Sequence, residues 1–146
     1  MNNNEHTSST AWGTIFSAWF IACLATMGSL FFSEVMKLPP CVLCWYQRIC
    51  MYPLVVILLA GLFPVSKSVI KFSIPLAAIG WMIALYHNLL YYKILPESAG
   101  PCQQGISCTS IQLEWLGFIT IPLLSLSAFT TILVLLIFTN KELSHE

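Results

Sequence analysis

Charge is the scarce commodity in this sequence. Of 146 residues six are Lys or Arg and six Asp or Glu, 8% in all, against about 25% in a soluble domain, while 58% are hydrophobic. That deficit excludes an ordinary water-soluble globule and places the chain in a bilayer. Formal net charge is zero, so no basic face exists to neutralise several phosphates, which excludes nucleic acid as a partner. The opening stretch MNNNEHTSSTAWG has no Lys or Arg ahead of the first apolar run. That run is too long for a leader core and shows no clear small-residue cleavage site, so a retained span is expected. No lipidation motif is evident. Also missing are a Ser/His/Asp arrangement, a phosphate loop and a pair of intramembrane carboxylates, so hydrolase, kinase and proton-coupled transporter readings lose support. There is no internal repeat and no low-complexity tract.

What remains is organised around four apolar runs, at about residues 12–32, 45–63, 72–92 and 119–138. Each is near the roughly 20 residues a helix needs to cross about 30 Å of hydrocarbon. None alternates apolar and polar residues as a barrel strand would. The expected fold is therefore all-α: a single integral membrane domain over 1–146, built as a bundle of four transmembrane helices. Pro53 and Pro122 are expected to kink their helices. An even number of spans puts both termini on one side with the turn FPVSKSVIK, and the connections Ser33 to Cys44 and Lys93 to Phe118 on the other. Lys67, Lys71 and Lys141 on the terminal side outweigh Lys37 and Lys93 opposite, so the termini are expected in the cytoplasm and the two short cysteine-bearing loops outside it. Glu34 and Glu114 flank spans on that outer side as solvated interfacial charges, and Trp12, Trp45, Tyr46, Tyr91, Tyr92 and Trp115 suit headgroup depth.

All four loop cysteines then meet on one face. Cys41 and Cys44 form a Cys-x-x-Cys pair just ahead of the second run, in PPCVLCWYQRIC. At a helix N-terminus the second sulfur, Cys44, is expected to gain most from unpaired N–H groups and the positive end of the dipole. Arg48, at i+4 from Cys44, would favour its thiolate further or bind an oxygen of an electron acceptor; alone, it would equally suit an interfacial anchor. Cys102 and Cys108, in PCQQGISC, can close a disulfide that is either redox-active or a plain staple. Four cysteines on one face also raise a zinc site, but the five-residue spacing is loose for a knuckle and would leave Arg48 unexplained, so no metal is expected. Cys23 and Cys50 read as packing residues. His87, near the outer end of the third run, is either a satisfied core residue or a donor to a bound headgroup.

Two dithiol pairs facing one compartment can exchange disulfides, and such a relay needs a terminal acceptor. A quinone dissolves in hydrocarbon and can reach an interfacial sulfur, whereas a soluble nucleotide would need a domain this chain lacks. PPCVLCWYQR, the four spans, the second cysteine pair before the last span and the stretch LEWLGFITIP together resemble the bacterial disulfide-bond formation protein B/C family, the quinone-linked thiol oxidases. The resemblance implies a plasma-membrane enzyme that reoxidises an extracytoplasmic thioredoxin-fold thiol oxidase. It also implies that Cys102 takes the partner's attack with Cys108 as its mate, and that electrons pass to Cys41 and Cys44. Cys44, helped by Arg48 and with His87 as a further cofactor-binding candidate, would hand them to menaquinone or ubiquinone. The short second loop is similar to the Gram-positive form, for which menaquinone is the expected acceptor, and it leaves a Cys41–Cys108 rearrangement less firmly implied.

Two alternatives differ in testable ways. An enzyme resembling vitamin K epoxide reductase would carry its Cys-x-x-Cys late in the bundle, not before the second span. A non-catalytic four-span protein would use its disulfides only to brace the outer loops.

Overall fold

The computed structural model describes residues 3–96, 114–115 and 119–144, with side chains described over 9–96 and 120–144. Helix α1 spans Asn3–Leu30 and widens into a π-helical turn over Phe31–Val35; α2 spans Val42–Ala60, α3 Lys67–Tyr91 and α4 Ile121–Ser144. All four helices are long and apolar enough to cross a membrane. The chain is an all-α membrane protein. The only sheet among the described residues is a two-residue antiparallel ladder, β1 (Glu114–Trp115) on β2 (Ile119–Thr120), leading directly into α4.

The buried positions follow a seam of alternating three- and four-residue steps, the spacing that keeps one stripe of a helix against its neighbours. On α1 the stripe is Ala11, Ile15, Ala18 and Ala22; on α3 it is Ile70, Ser73, Ala77, Gly80, Ala84 and His87; on α4 it is Phe129, Ile132, Leu136, Thr139 and Leu143. Small residues dominate α1 and α3 because, in lipid, association rests on close packing and interhelical hydrogen bonds, not on escape from water. Gly80 shows the closeness: the Phe129 ring of α4 occupies the space a Cβ would need. Outward positions such as Met27, Val56, Phe72, Met82 and Val134 are large, apolar and exposed, as lipid-facing residues should be.

Each helix packs on its sequence neighbours, and α1 closes the ring against α4. Polar clasps tie adjacent pairs: Thr14 to Thr139 at 2.7 Å, Trp81 Nε1 to Thr130 at 3.0 Å, and Asn88 Nδ2 to the Pro122 carbonyl at 2.8 Å. Contrary to expectation, Pro122 does not kink α4. It lies in the first turn, where its missing N–H has no partner to lose. The prolines inside helices are Pro53 in α2 and Pro75 in α3.

One end of the bundle gathers the end of α1, the start of α2, the end of α3 and the start of α4. At that end α3 stops at a left-handed Lys93 (φ 56°), with Lys93 N–H on Leu90 O and Ile94 N–H on Leu89 O, the paired bonds that commonly close a helix. Lys37 (φ 54°) reverses the chain after α1 in the same way, and Pro39 and Pro40 lead it extended into Cys41.

Candidate active site

Helix α2 begins at Val42, so Cys41 is its N-cap, with extended backbone (φ −71°, ψ 170°). Its Sγ accepts the Cys44 backbone N–H at 3.4 Å, and its carbonyl accepts the Trp45 N–H at 3.1 Å. This corrects the expectation that Cys44 gains most from the helix start. The helix opens earlier than the apolar run suggested, and its free N–H serves the first sulfur of the pair. The two sulfurs stand 2.8 Å apart. His87 of α3 brings Nε2 to 3.8 Å from Cys41 Sγ, while its Nδ1 lies 3.1 Å from Gln47 Nε2 of α2. When the Gln47 amide donates to Nδ1, the imidazole proton sits on Nε2, directed at sulfur. Cys41, Gln47 and His87 are 4, 8 and 3% exposed, so this chain of contacts is closed to bulk solvent.

The electrostatic result is a thiolate at Cys41. Its pKa is lowered to about 4, chiefly by the hydrogen bond from the Cys44 thiol; burial opposes this, and His87 and the Cys44 backbone N–H add to it.

Cys44 has different neighbours. It lines a cavity of about 460 Å³ between α1, α2 and the first turns of α4, walled by residues such as Leu24, Phe32, Met51 and Phe129 and carrying few polar groups. The size and the apolar wall suit a ring-sized organic ligand. Arg48, one turn beyond Cys44, lines the same cavity and is held as a fork: Nε donates to Ser29 Oγ and Nη2 to the Ser29 carbonyl, both at 2.8 Å. Its guanidinium also lies over the Trp45 ring, 5.4 Å from the centroid.

Of the residues singled out from sequence, the fold thus brings together Cys41, Cys44, Arg48 and His87. His87 contacts Cys41 and is not among the cavity-lining residues. Cys102 and Cys108 lie outside the described residues; the connection that carries them leaves α3 and rejoins α4 at the same end as Cys41. Cys23 and Cys50 are free thiols, Cys50 within the apolar core. The ligand atoms of Cys41, Cys44 and His87 all lie within 4.8 Å of one another, a spacing that a soft metal could also use. Gln47 and Ser29 were missed. Gln47 left a signal, as an amide inside an apolar run. Ser29 left none, since its role depends on how α1 crosses α2.

A membrane-spanning helix bundle with a buried dithiol beside an apolar cavity defines an integral-membrane thiol–disulfide protein. The chain belongs to the family of disulfide bond formation protein DsbB, whose sequence profile matches residues 11–139. It is 42% identical over 133 residues to disulfide bond formation protein C of Bacillus subtilis strain 168, covering 90% of this chain and 95% of that protein. It is 47% identical over 120 residues to probable disulfide formation protein C 2 of Bacillus anthracis, covering 82% and 84%. A probable disulfide formation protein of Metapseudomonas resinovorans is 37% identical over 140 residues, covering 95% and 97%. No solved structure matches the chain significantly.

Proposed function

We propose that this membrane protein is a thiol:quinone oxidoreductase that reoxidises an extracytoplasmic thioredoxin-fold thiol oxidase, with both termini in the cytoplasm and the cysteine-bearing end outside. The observation that carries the reading is the division of one dithiol between two sets of partners: the Cys41 sulfur meets an imidazole and a backbone N–H, while Cys44 lines an apolar cavity beside a fixed cation.

The partner's thiolate attacks the Cys102–Cys108 disulfide at Cys102 and forms a mixed disulfide, which the partner's second thiol resolves. The reduced Cys102–Cys108 pair then opens the Cys41–Cys44 disulfide by the same exchange, leaving Cys41 and Cys44 as thiols. A menaquinone or ubiquinone supplies a sink for two electrons and two protons, the number released when Cys41 and Cys44 close their disulfide again. The cavity fits that group by its apolar wall, its volume and the guanidinium set into it. In the chain itself, Cys41 holds its negative charge against the Nε2 proton of His87, Gln47 fixes that proton's position, and Arg48 directs positive charge into the cavity next to Cys44.

Trapping the thiols of Cys41 and Cys44 with an alkylating reagent, in membranes with and without quinone, tests the reading. A relay accumulates free thiol at this pair when its acceptor is withdrawn and a reduced thioredoxin-fold partner is supplied. A bracing disulfide stays oxidised in both samples.

A further inference from the structure

Cys44, Arg48 and Tyr52 recur every fourth residue on α2, and all three line the cavity. Each step descends about 6 Å along the helix, away from the cysteine end. Helix α1 runs the opposite way and supplies two further lining residues, Ser29 and, three positions deeper, Thr26. The cavity therefore has an upper pair, Arg48 with Ser29, and a lower pair, Tyr52 with Thr26. The upper pair is bonded within itself, through two of the five N–H donors of Arg48. The lower pair is not: Tyr52 OH and Thr26 Oγ1 are both buried, and neither has a hydrogen-bond partner.

Buried hydroxyls without partners are rare. A threonine within a helix ordinarily returns its hydroxyl to a carbonyl one turn back. Thr14, Thr130, Thr131 and Thr139 all do so here. Thr26 stands apart from them, on a helix of the same kind, at the wall of the cavity.

We infer that Tyr52 and Thr26 are the hydrogen-bond donors for the far carbonyl of a 1,4-quinone headgroup whose near edge lies against Cys44 and Arg48. This rests on the quinone reading above and names the residues that would orient the ring. The oxygens of two para carbonyls, each C=O about 1.23 Å long, are roughly 5 Å apart, close to the separation of the two pairs along the bundle. A ring held at both ends presents one edge to Cys44 and excludes a ligand with a single oxygen. Donors on the far oxygen would also favour the two-electron reduced ring, whose oxygens carry more negative charge than those of the quinone.

The test uses full-length protein in detergent micelles stripped of endogenous quinone, with menadione and a decyl-substituted benzoquinone as probes. Equilibrium binding is read by quenching of tryptophan fluorescence, and the carbonyl stretch of bound probe by infrared difference spectroscopy. Tyr52→Phe and Thr26→Val keep the shape of each side chain and remove only the donor. Each is expected to weaken binding of both probes about three- to tenfold, the worth of one neutral hydrogen bond, and to raise the frequency of one carbonyl band. Thr26→Ser is expected to restore both readouts. Wild-type protein that binds the probes while Tyr52→Phe and Thr26→Val match it in affinity and carbonyl frequency overturns this inference alone. Wild-type protein that binds neither probe overturns the quinone reading and this inference with it.

Discussion

Cys41 and Cys44 are three residues apart with sulfurs 2.8 Å from each other, yet they inhabit different chemical worlds. Cys41 caps the helix, is 4% exposed and, although packed with Leu43 and Leu90, has three polar partners at its sulfur: a backbone N–H, an imidazole and the neighbouring thiol. Cys44 lies within the first turn and looks into an apolar cavity with a guanidinium one turn away. The difference teaches that the two sulfurs of a Cys-x-x-Cys pair at a helix start are sorted by their places in the first turn, the cap position and the third helical position. The first sulfur collects the free N–H, and the second is turned to whatever the helix faces. Here that gives the pair one member buried against α3 and one on the cavity wall.

The most drastic way to break this polarity is to remove the cavity-side sulfur. Cys44→Ser should abolish electron transfer to quinone, measured as quinol formation with a reduced thioredoxin-fold partner, because a hydroxyl is neither oxidised nor able to close a disulfide. Cys23→Ala, which removes a thiol absent from the cavity wall, should leave the rate within about twofold, as surface changes away from a site generally do. Quinol formation at the normal rate by the Cys44 variant would move the exit for electrons elsewhere.

A second, smaller intervention shifts the charge on Cys41 without removing it. A pKa lowered to about 4 means that the thiolate is present at neutral pH and is lost as pH falls through about 4. Thiolate ultraviolet absorbance of the reduced protein, with Cys41→Ser as the blank, should show that midpoint. The Cys44 thiol is the largest cause of the depression, so Cys44→Ala should move the midpoint up furthest, toward the ordinary thiol value of about 8.5; His87→Phe should move it up by less. Equal shifts in the two variants would contradict the ranking. A midpoint near the ordinary value in the wild type would remove the polarity altogether.

The two sides of the pair were not equally legible in the sequence. Four membrane helices could be counted from four apolar runs, since length and hydropathy are strong constraints in a bilayer. The stripe from Cys44 to Arg48 followed from helical spacing alone. The niche around Cys41 did not, because it is assembled across helices: His87 comes from α3, and Gln47 reaches it only once α2 and α3 are packed. The expectation that the helix start serves Cys44 fails for a local reason. The apolar run starts at Trp45, but Pro39 and Pro40 end before Cys41, leaving Val42 and Leu43 free to join the helix with a sulfur as the cap. Pro122 was misplaced for a similar reason, since a proline near the start of an apolar run suits a first turn as well as a kink.

The finest perturbation acts on the cation that distinguishes the Cys44 side. Arg48 donates twice to Ser29, once to its hydroxyl and once to its backbone carbonyl, and only the first can be deleted by mutation. Hydrogen bonds to a charged group contribute about 1.5–3 kcal/mol, but the second acceptor survives in Ser29→Ala and the stacking on Trp45 is untouched, so a net loss of about 1 kcal/mol is expected. That corresponds to roughly a fivefold rise in KM for quinone, with the Cys41 titration midpoint unmoved because the hydrogen bonds of Ser29 go to Arg48. Arg48→Lys should cost more, since a lysine ammonium cannot reproduce the planar fork that satisfies both acceptors at once. If Ser29→Ala leaves KM unchanged, the carbonyl alone fixes the guanidinium. If it moves the Cys41 midpoint instead, the two sides of the pair are coupled through α1, and the separation between them is narrower than the geometry implies.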